Sequence, residues 1–152
     1  MFPFKKVLCP TDFSEPSLCG LKMAREMTAG HDSEILVLNV HRPIPHLPTP
    51  RDEAPDVTFD VSGYEDQVRR ETETHLAEVA ASILGEDANL RLLVRMGRPA
   101  KQILKCAEEE DVDAIFIATH GRTGLAHMVF GSVAEMVVRY AHCPIMTIRT
   151  CD

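Results

Sequence analysis

Residues 114–135 read AIFIATHGRTGLAHMVFGSVAE, and the fold turns on how this stretch is taken. Ala114 to Ala118 is an unbroken apolar run preceded by Asp111 and Asp113, the pattern of a strand buried on both faces. A loop carrying Gly121, Gly124 and Gly131 follows. Ser132 stands three residues before Glu135, the spacing of a capping box, which predicts a helix opening at Ser132. A helix start has unpaired N–H groups and a partial positive charge, and so suits an anion. Glycines let backbone approach a ligand closely. The stretch is a candidate phosphate cradle, although a tight strand-to-helix connection with no ligand has the same needs. It is not a Walker A loop, since no Gly-Lys-Ser/Thr follows the glycines, and its glycine spacing is not that of the dinucleotide fingerprint.

Outward from this stretch, strands and helices alternate. Lys6 to Cys9 is a short strand stopped by Pro10. Thr11-Asp12-Phe13-Ser14 is a turn, with Ser14 as N-cap and Pro16 in the first turn of a helix carrying Leu18, Leu21, Ala24 and Met27 at helical spacing. Gly30 closes that helix, and Ile35 to Val40 is a second buried strand. Tyr64 to Leu84 is a helix with a stripe of Val68, Thr72, His75, Leu76, Val79 and Ile83. Leu90 to Met96 is a third strand, and Gly97 and Pro99 open a short helix. The last helix, Ser132 to Ala141, is expected to bury Val133, Met136, Val137 and Tyr140. Pro144 leads into a fifth strand, Ile145 to Arg149. This alternation implies one α/β domain over residues 1–152, an open five-stranded parallel sheet with helices on both faces. Residues 42–63, with five prolines among acidic residues, read as a flexible insertion: a lid over a ligand, or a segment of no specific role.

Four segments carry a resemblance to a known family. Gly121, the nine residues Arg122 to Phe130, and Gly131-Ser132 resemble the signature of the universal stress protein family in its ATP-binding branch, a Gly, two residues, a Gly, nine residues, then Gly-Ser. The first glycine of that signature is Ala118 here. KKVLCPTDFSE resembles the family's first strand and its Pro-Thr-Asp turn, and HCPIMTIR its last strand; GRPAKQIL resembles the segment entering the third helix. The likeness spans the chain apart from about residues 42–62. It implies the sheet order 3-2-1-4-5 of the adenine nucleotide alpha hydrolase-like fold, in which the first and fourth strands meet where the winding reverses. Ligands in such sheets lie at the carboxyl ends of the strands at that point.

The resemblance also implies a ligand, ATP or AMP, with any Mg²⁺ arriving on the nucleotide. Pro10, Thr11 and Asp12 would lie at the base and ribose side, and the backbone of Val40 would meet the adenine edge. Ile117, Ala118, Gly121, Arg122, Gly131, Ser132 and Val133 would line ribose and phosphates. Each role has a plainer counterpart: Asp12 as a turn carboxylate bonding its own backbone, Arg122 as a solvated charge rather than a guanidinium fork on phosphate, Ser132 as a helix cap. An alanine at 118 costs little at negative φ and about 1 kcal/mol or more at positive φ.

Composition bounds the partners. A chain of 152 residues with 45% apolar and 26% charged residues is ordinary for one domain with a core. Net charge −7 argues against nucleic acid and anionic membrane as partners. No apolar run approaches the roughly 20 residues of a bilayer span, and MFPFKKVL lacks the layout of a secretion signal, which makes the cytoplasm the expected compartment. Five cysteines, an odd number without metal or redox spacing, read as free thiols, with Cys9, Cys19 and Cys106 as core residues and Cys151 in the tail. The histidines, His41, His46, His120 and His127 among them, read as structural or solvated, and His120 beside Gly121 is the one placed to face phosphates; no protein-built metal site is expected.

The function so implied is a cytoplasmic, nucleotide-binding stress-response regulator that passes its occupancy to an unknown protein partner or through a homodimer built on the last strand. Catalysis would be absent or slow, because no base is evident to activate water. The alternative is an interaction protein of the same family with a degenerate pocket, to which Ala118 points. A small phosphotransferase or hydrolase would need a base that the sequence does not nominate.

Overall fold

The computed structural model describes residues 3–43, 61–120 and 130–149. Its elements are β1 (Lys6–Pro10), α1 (Glu15–Thr28), β2 (Glu34–His41), α2 (Val61–Leu84), β3 (Leu90–Met96), α3 (Pro99–Glu109), β4 (Ala114–Ala118), α4 (Ser132–Tyr140) and β5 (Ile145–Ile148). The strands form one parallel sheet in the order β3-β2-β1-β4-β5. Each strand-helix-strand crossover needs a dozen or more residues, which the helices supply. The 42–63 insertion expected from the prolines is shorter at its end, since Val61 to Gly63 belong to α2; residues 44–60 lie outside the described residues.

Period-two alternation divides the strand side chains between two cores. On one face Val7, Cys9, Ile35, Val37, Ala114 and Phe116 pack with Cys19, Leu21 and Ala24 of α1 and Leu76, Ala80 and Leu84 of α2. On the other, Leu8, Leu36, Leu38, Ile115 and Ile117 meet Ile103 and Cys106 of α3 and Ala134 and Val137 of α4. Both faces are covered, so β1, β2 and β4 are nearly continuous hydrophobic runs. Burying one Leu or Phe in such a core stabilises by about 1.5–3 kcal/mol. The α2 stripe runs through Thr72, Leu76, Ala80 and Leu84, and His75 lies outside it, exposed. Gly30 and Gly85, with φ of 77° and 79°, end α1 and α2 in the left-handed conformation that glycine alone adopts without strain.

Two expectations for α4 are corrected. Its N-cap is Gly131, with Ser132 the first helical residue and no side-chain cap, so the Ser132–Glu135 spacing is not a capping box. Its inward stripe is Ala134 and Val137, whereas Met136 and Tyr140 are 46% and 52% exposed. Met136 lies two residues from Ala134, about 200° round the helix, and so points away from the sheet.

The thiols also need correction. Cys9, Cys106 and Cys143 are free, but Cys19 is in a disulfide whose partner lies outside the described residues. An odd count leaves one thiol over; it does not forbid a pair. Cys9, Cys19 and Cys106 are buried as expected; burial pushes the Cys9 thiol well above its ordinary range and also raises that of Cys106.

Candidate nucleotide site

A cavity of about 360 Å³ opens at the carboxyl end of the sheet, where β1 and β4 part. Nine of the sequence-nominated residues line it: Pro10, Thr11, Asp12, Val40, Ile117, Ala118, Gly131, Ser132 and Val133. Gly121 and Arg122 lie outside the described residues. The cavity walls include Leu38, Pro99 and Ile103 on the α3 side, His120, the histidine expected to face phosphates, and Asn39, His41 and Arg42, which sequence patterning did not nominate as contacts.

At the β4 end, the backbone is arranged around the start of α4. Thr119 N–H donates to Ile148 C=O at 2.8 Å, and Thr119 C=O accepts from Gly131 N–H at 2.6 Å. A Cβ on Gly131 would stand 3.2 Å from that carbonyl, so the close approach of the loop's return to β4 favours glycine. The first bond of α4 is Glu135 N–H to Gly131 C=O at 2.9 Å. The N–H groups of Ser132, Val133 and Ala134 therefore have no acceptor among the described residues, and the Ser132 hydroxyl, freed from capping, has no partner there either. Three orphan amides and the positive end of a nine-residue helix face the cavity. Ala118 does not have positive φ; it pairs with Ile148 in regular β-structure and is 8% exposed, so its methyl brings no backbone strain.

At the β1 end, the turn consumes its own polar groups. Asp12 Oδ1 accepts the Ser14 N–H at 3.0 Å and also the Ser14 hydroxyl, the local bonding expected of a turn carboxylate. Ser17 donates to Ser14 C=O at 2.8 Å, which makes the Thr11 hydroxyl the donor in its 2.9 Å bond to Ser17. Thr11 Oγ1 in turn accepts the Phe13 N–H at 3.0 Å. Phe13 has φ of 65°, an outlier for a bulky residue, and its ring lies 4.5 Å from that of His75. His120 Nδ1 is 2.9 Å from Thr119 Oγ1.

The β2 wall is open in a way the ladder makes legible. Glu34 N–H to Lys5 C=O and Thr11 N–H to Leu38 C=O, both 2.8 Å, show that even-numbered β2 residues present their backbone to β1. Ile35 N–H to Asn89 C=O at 2.9 Å and Gly97 N–H to His41 C=O at 2.7 Å show that odd-numbered ones face β3. Val40 thus faces the β1 side, where its partners would be Thr11 C=O and Phe13 N–H. Both are diverted: Thr11 C=O accepts from Asn39 Nδ2 at 2.8 Å, and Phe13 N–H goes to Thr11 Oγ1. The N–H and C=O of Val40 have no partner among the described residues, and they form an adjacent donor and acceptor on the cavity wall.

Comparison with known proteins is consistent with this architecture. The profile described as the universal stress protein family matches residues 3–149. The chain belongs to the universal stress protein family. A universal stress protein of Methanothermobacter thermautotrophicus is 30% identical over 148 residues, covering 97% of each chain. The solved structure of the hypothetical protein MJ0577 superposes with a TM-score of 0.78 over 97% of each chain at 22% identity, which bears on fold alone. A universal stress protein from Archaeoglobus fulgidus, solved in complex with dAMP, is 25% identical, with a TM-score of 0.56 over 98% of this chain and 100% of that one. Among the described residues of this universal stress protein no helix is long and apolar enough to cross a membrane.

Proposed function

We propose that the cavity binds an adenine nucleotide, ATP or AMP, and that this universal stress protein acts in the cytoplasm as a stress-response regulator through the occupancy of that site. The observation that carries the reading is the set of amides of Ser132, Val133 and Ala134 on the cavity, which have no acceptor among the described residues. A phosphate there would accept from them and from the Ser132 hydroxyl, in the field of the helix dipole. Pro10, Thr11 and Asp12 would flank the ribose, the apolar Leu38, Ile103 and Ile117 would bracket the base, and the Val40 N–H and C=O would pair with an acceptor and a donor on its edge. Gly121 and Arg122 would complete the phosphate side, with Mg²⁺ carried in on ATP. The relative solved with dAMP supports the ligand class.

Occupancy would be read by a protein partner or across a homodimer. The dimer would form on β5, which pairs only with β4 among the described residues, next to the exposed Met136, Val138 and Tyr140 of α4. Unpaired apolar edges are commonly covered. No residue is assigned to catalysis.

Isothermal titration with ATP and Mg²⁺, and with AMP, tests the site. Saturable heat at submillimolar nucleotide, with a matching rise in melting temperature, is expected. No heat and no thermal shift at millimolar nucleotide would overturn the reading in favour of an interaction protein of the same family. Sedimentation showing monomer alone would remove the dimer.

A further inference from the structure

We infer that Asn39 is a positioning residue, whose side-chain amide keeps the base-reading edge of β2 open by occupying the carbonyl that would otherwise close it. The inference deepens the nucleotide reading of the cavity and rests on it. Continuing the β1–β2 ladder by one step would send the Val40 N–H to Thr11 C=O. That carbonyl is already taken, at 2.8 Å, by Asn39 Nδ2, from a side chain only 4% exposed. A carbonyl can only accept, so the bond fixes the amide with nitrogen toward Thr11 and oxygen away from it.

The oxygen has no such use. Asn39 Oδ1 is buried and has no hydrogen-bond partner among the described residues. A buried acceptor left unpaired is destabilising, and such groups are rare in native proteins. A residue selected for packing at this position, between strands of Val, Leu and Ile, would be apolar. The amide is thus half satisfied, and its satisfied half is the one that withholds Thr11 C=O from Val40. Phe13 N–H, the second group the ladder would use, is withheld by Thr11 Oγ1 in the same way. Two side chains thus end the β1–β2 pairing at Leu38, two residues before Val40, and leave the Val40 peptide groups for a ligand.

Leucine has the same branched skeleton as asparagine and removes both polar atoms. In Asn39→Leu the Thr11 carbonyl loses its donor and draws in the Val40 N–H. The expected result is a protein at least as stable as the wild type that binds ATP and AMP about fivefold to tenfold more weakly, the loss of the one hydrogen bond from the Val40 N–H, and binds inorganic triphosphate unchanged. Asn39→His, whose Nδ1 stands the same number of bonds from Cα as Asn Nδ2, is expected to keep nucleotide affinity within about threefold. Amide hydrogen exchange in the unliganded proteins gives a readout independent of any nucleotide. The Val40 N–H exchanges fast in the wild type and in Asn39→His, and becomes protected in Asn39→Leu. A wild type that binds no nucleotide overturns the functional reading. An Asn39→Leu protein that binds nucleotide like the wild type, or whose Val40 amide stays unprotected, overturns the role of Asn39. Should Asn39→Leu not fold, Asn39 is a structural residue and the inference fails.

Discussion

The two ends of the sheet treat the same backbone chemistry in opposite ways. At the amino end side chains tie loose backbone groups down. Asp113 Oδ2 accepts the N–H of Lys5 at 2.7 Å and of Lys6 at 2.8 Å, while its own N–H returns to Lys6 C=O at 2.8 Å. Lys6 Nζ donates to Glu110 C=O at 2.9 Å, and Arg91 ties Glu34 of β2 to Glu110 at the end of α3. At the carboxyl end, side chains are spent on keeping groups apart: Asn39 and Thr11 take the partners of Val40, and Gly131 C=O starts α4 while the next three amides stay open. The difference separates polar groups that hold the fold from those held in readiness, without reference to any ligand.

The sharpest way to break this contrast is to fill the open end with charge. In Gly131→Asp the new Cβ meets Thr119 C=O at 3.2 Å, and a carboxylate is placed where a phosphate would sit, at the positive end of α4. Like charge at an anion site opposes binding directly. Calorimetry should show ATP and AMP affinity falling by a hundredfold or more, with a fall in melting temperature of only a few degrees, since an acidic N-cap compensates in part for the crowding. Nucleotide bound with unaltered affinity would mean that the first turn of α4 is not the phosphate site.

The complementary change is made at the closed end. Asp113→Ala frees two backbone amides at once and is expected to cost about 1–3 kcal/mol in urea denaturation, with nucleotide affinity unaltered. The Arg91 pairs should add less, and the addition should fade with salt, because exposed ion pairs contribute about 0–1 kcal/mol. Acid also lowers stability, through the ion pair between β3 and α3. The Arg95 guanidinium, 2.7 Å from Glu109, holds that carboxyl below its ordinary range. A depressed carboxylate pKa stabilises the fold above the unfolded value, and the contribution is lost as pH falls through the folded one. Stability should therefore decline in acid below the ordinary carboxylate range, and an Asp113→Ala protein that also lost nucleotide would show that the ends are not independent.

How much of this was readable from sequence differs between the ends in the same way. A strand covered on both faces announces itself as an apolar run, and Ala114 to Ala118 coincides with β4 to the residue; Leu90 to Met96 also coincides with β3, although Arg91 and Arg95 interrupt its apolar residues. Helix ends were less plain. Ser132 mimics a cap, but Gly131 occupies the cap position, because the short 2.6 Å bond from its N–H to Thr119 C=O fixes where the helix begins. Met136 and Tyr140 looked inward because hydrophobicity alone does not set the phase of a nine-residue helix. Asn39 went unremarked for a deeper reason. Its neighbour in sequence is a strand residue like any other, and its partner at Thr11 lies 28 residues away; only the parity of the ladder shows which carbonyl it has taken.

The smallest expected effect tests whether Ala118 belongs to the open end or to the scaffold. It lines the cavity, yet its backbone is paired with Ile148 and its φ is not positive. If its methyl obstructed the ligand, Ala118→Gly would improve nucleotide affinity by tenfold or more. If the residue serves β4, the change loosens a strand interior, costs about 0.5–1 kcal/mol of stability, and alters affinity by less than about threefold. The geometry favours the second outcome, because a regular extended residue gains nothing from the conformational freedom of glycine. Titration of ATP into Ala118→Gly, set beside its urea midpoint, decides between them. A large gain in affinity would place the boundary between scaffold and site one residue earlier than the ladder does, inside β4 itself.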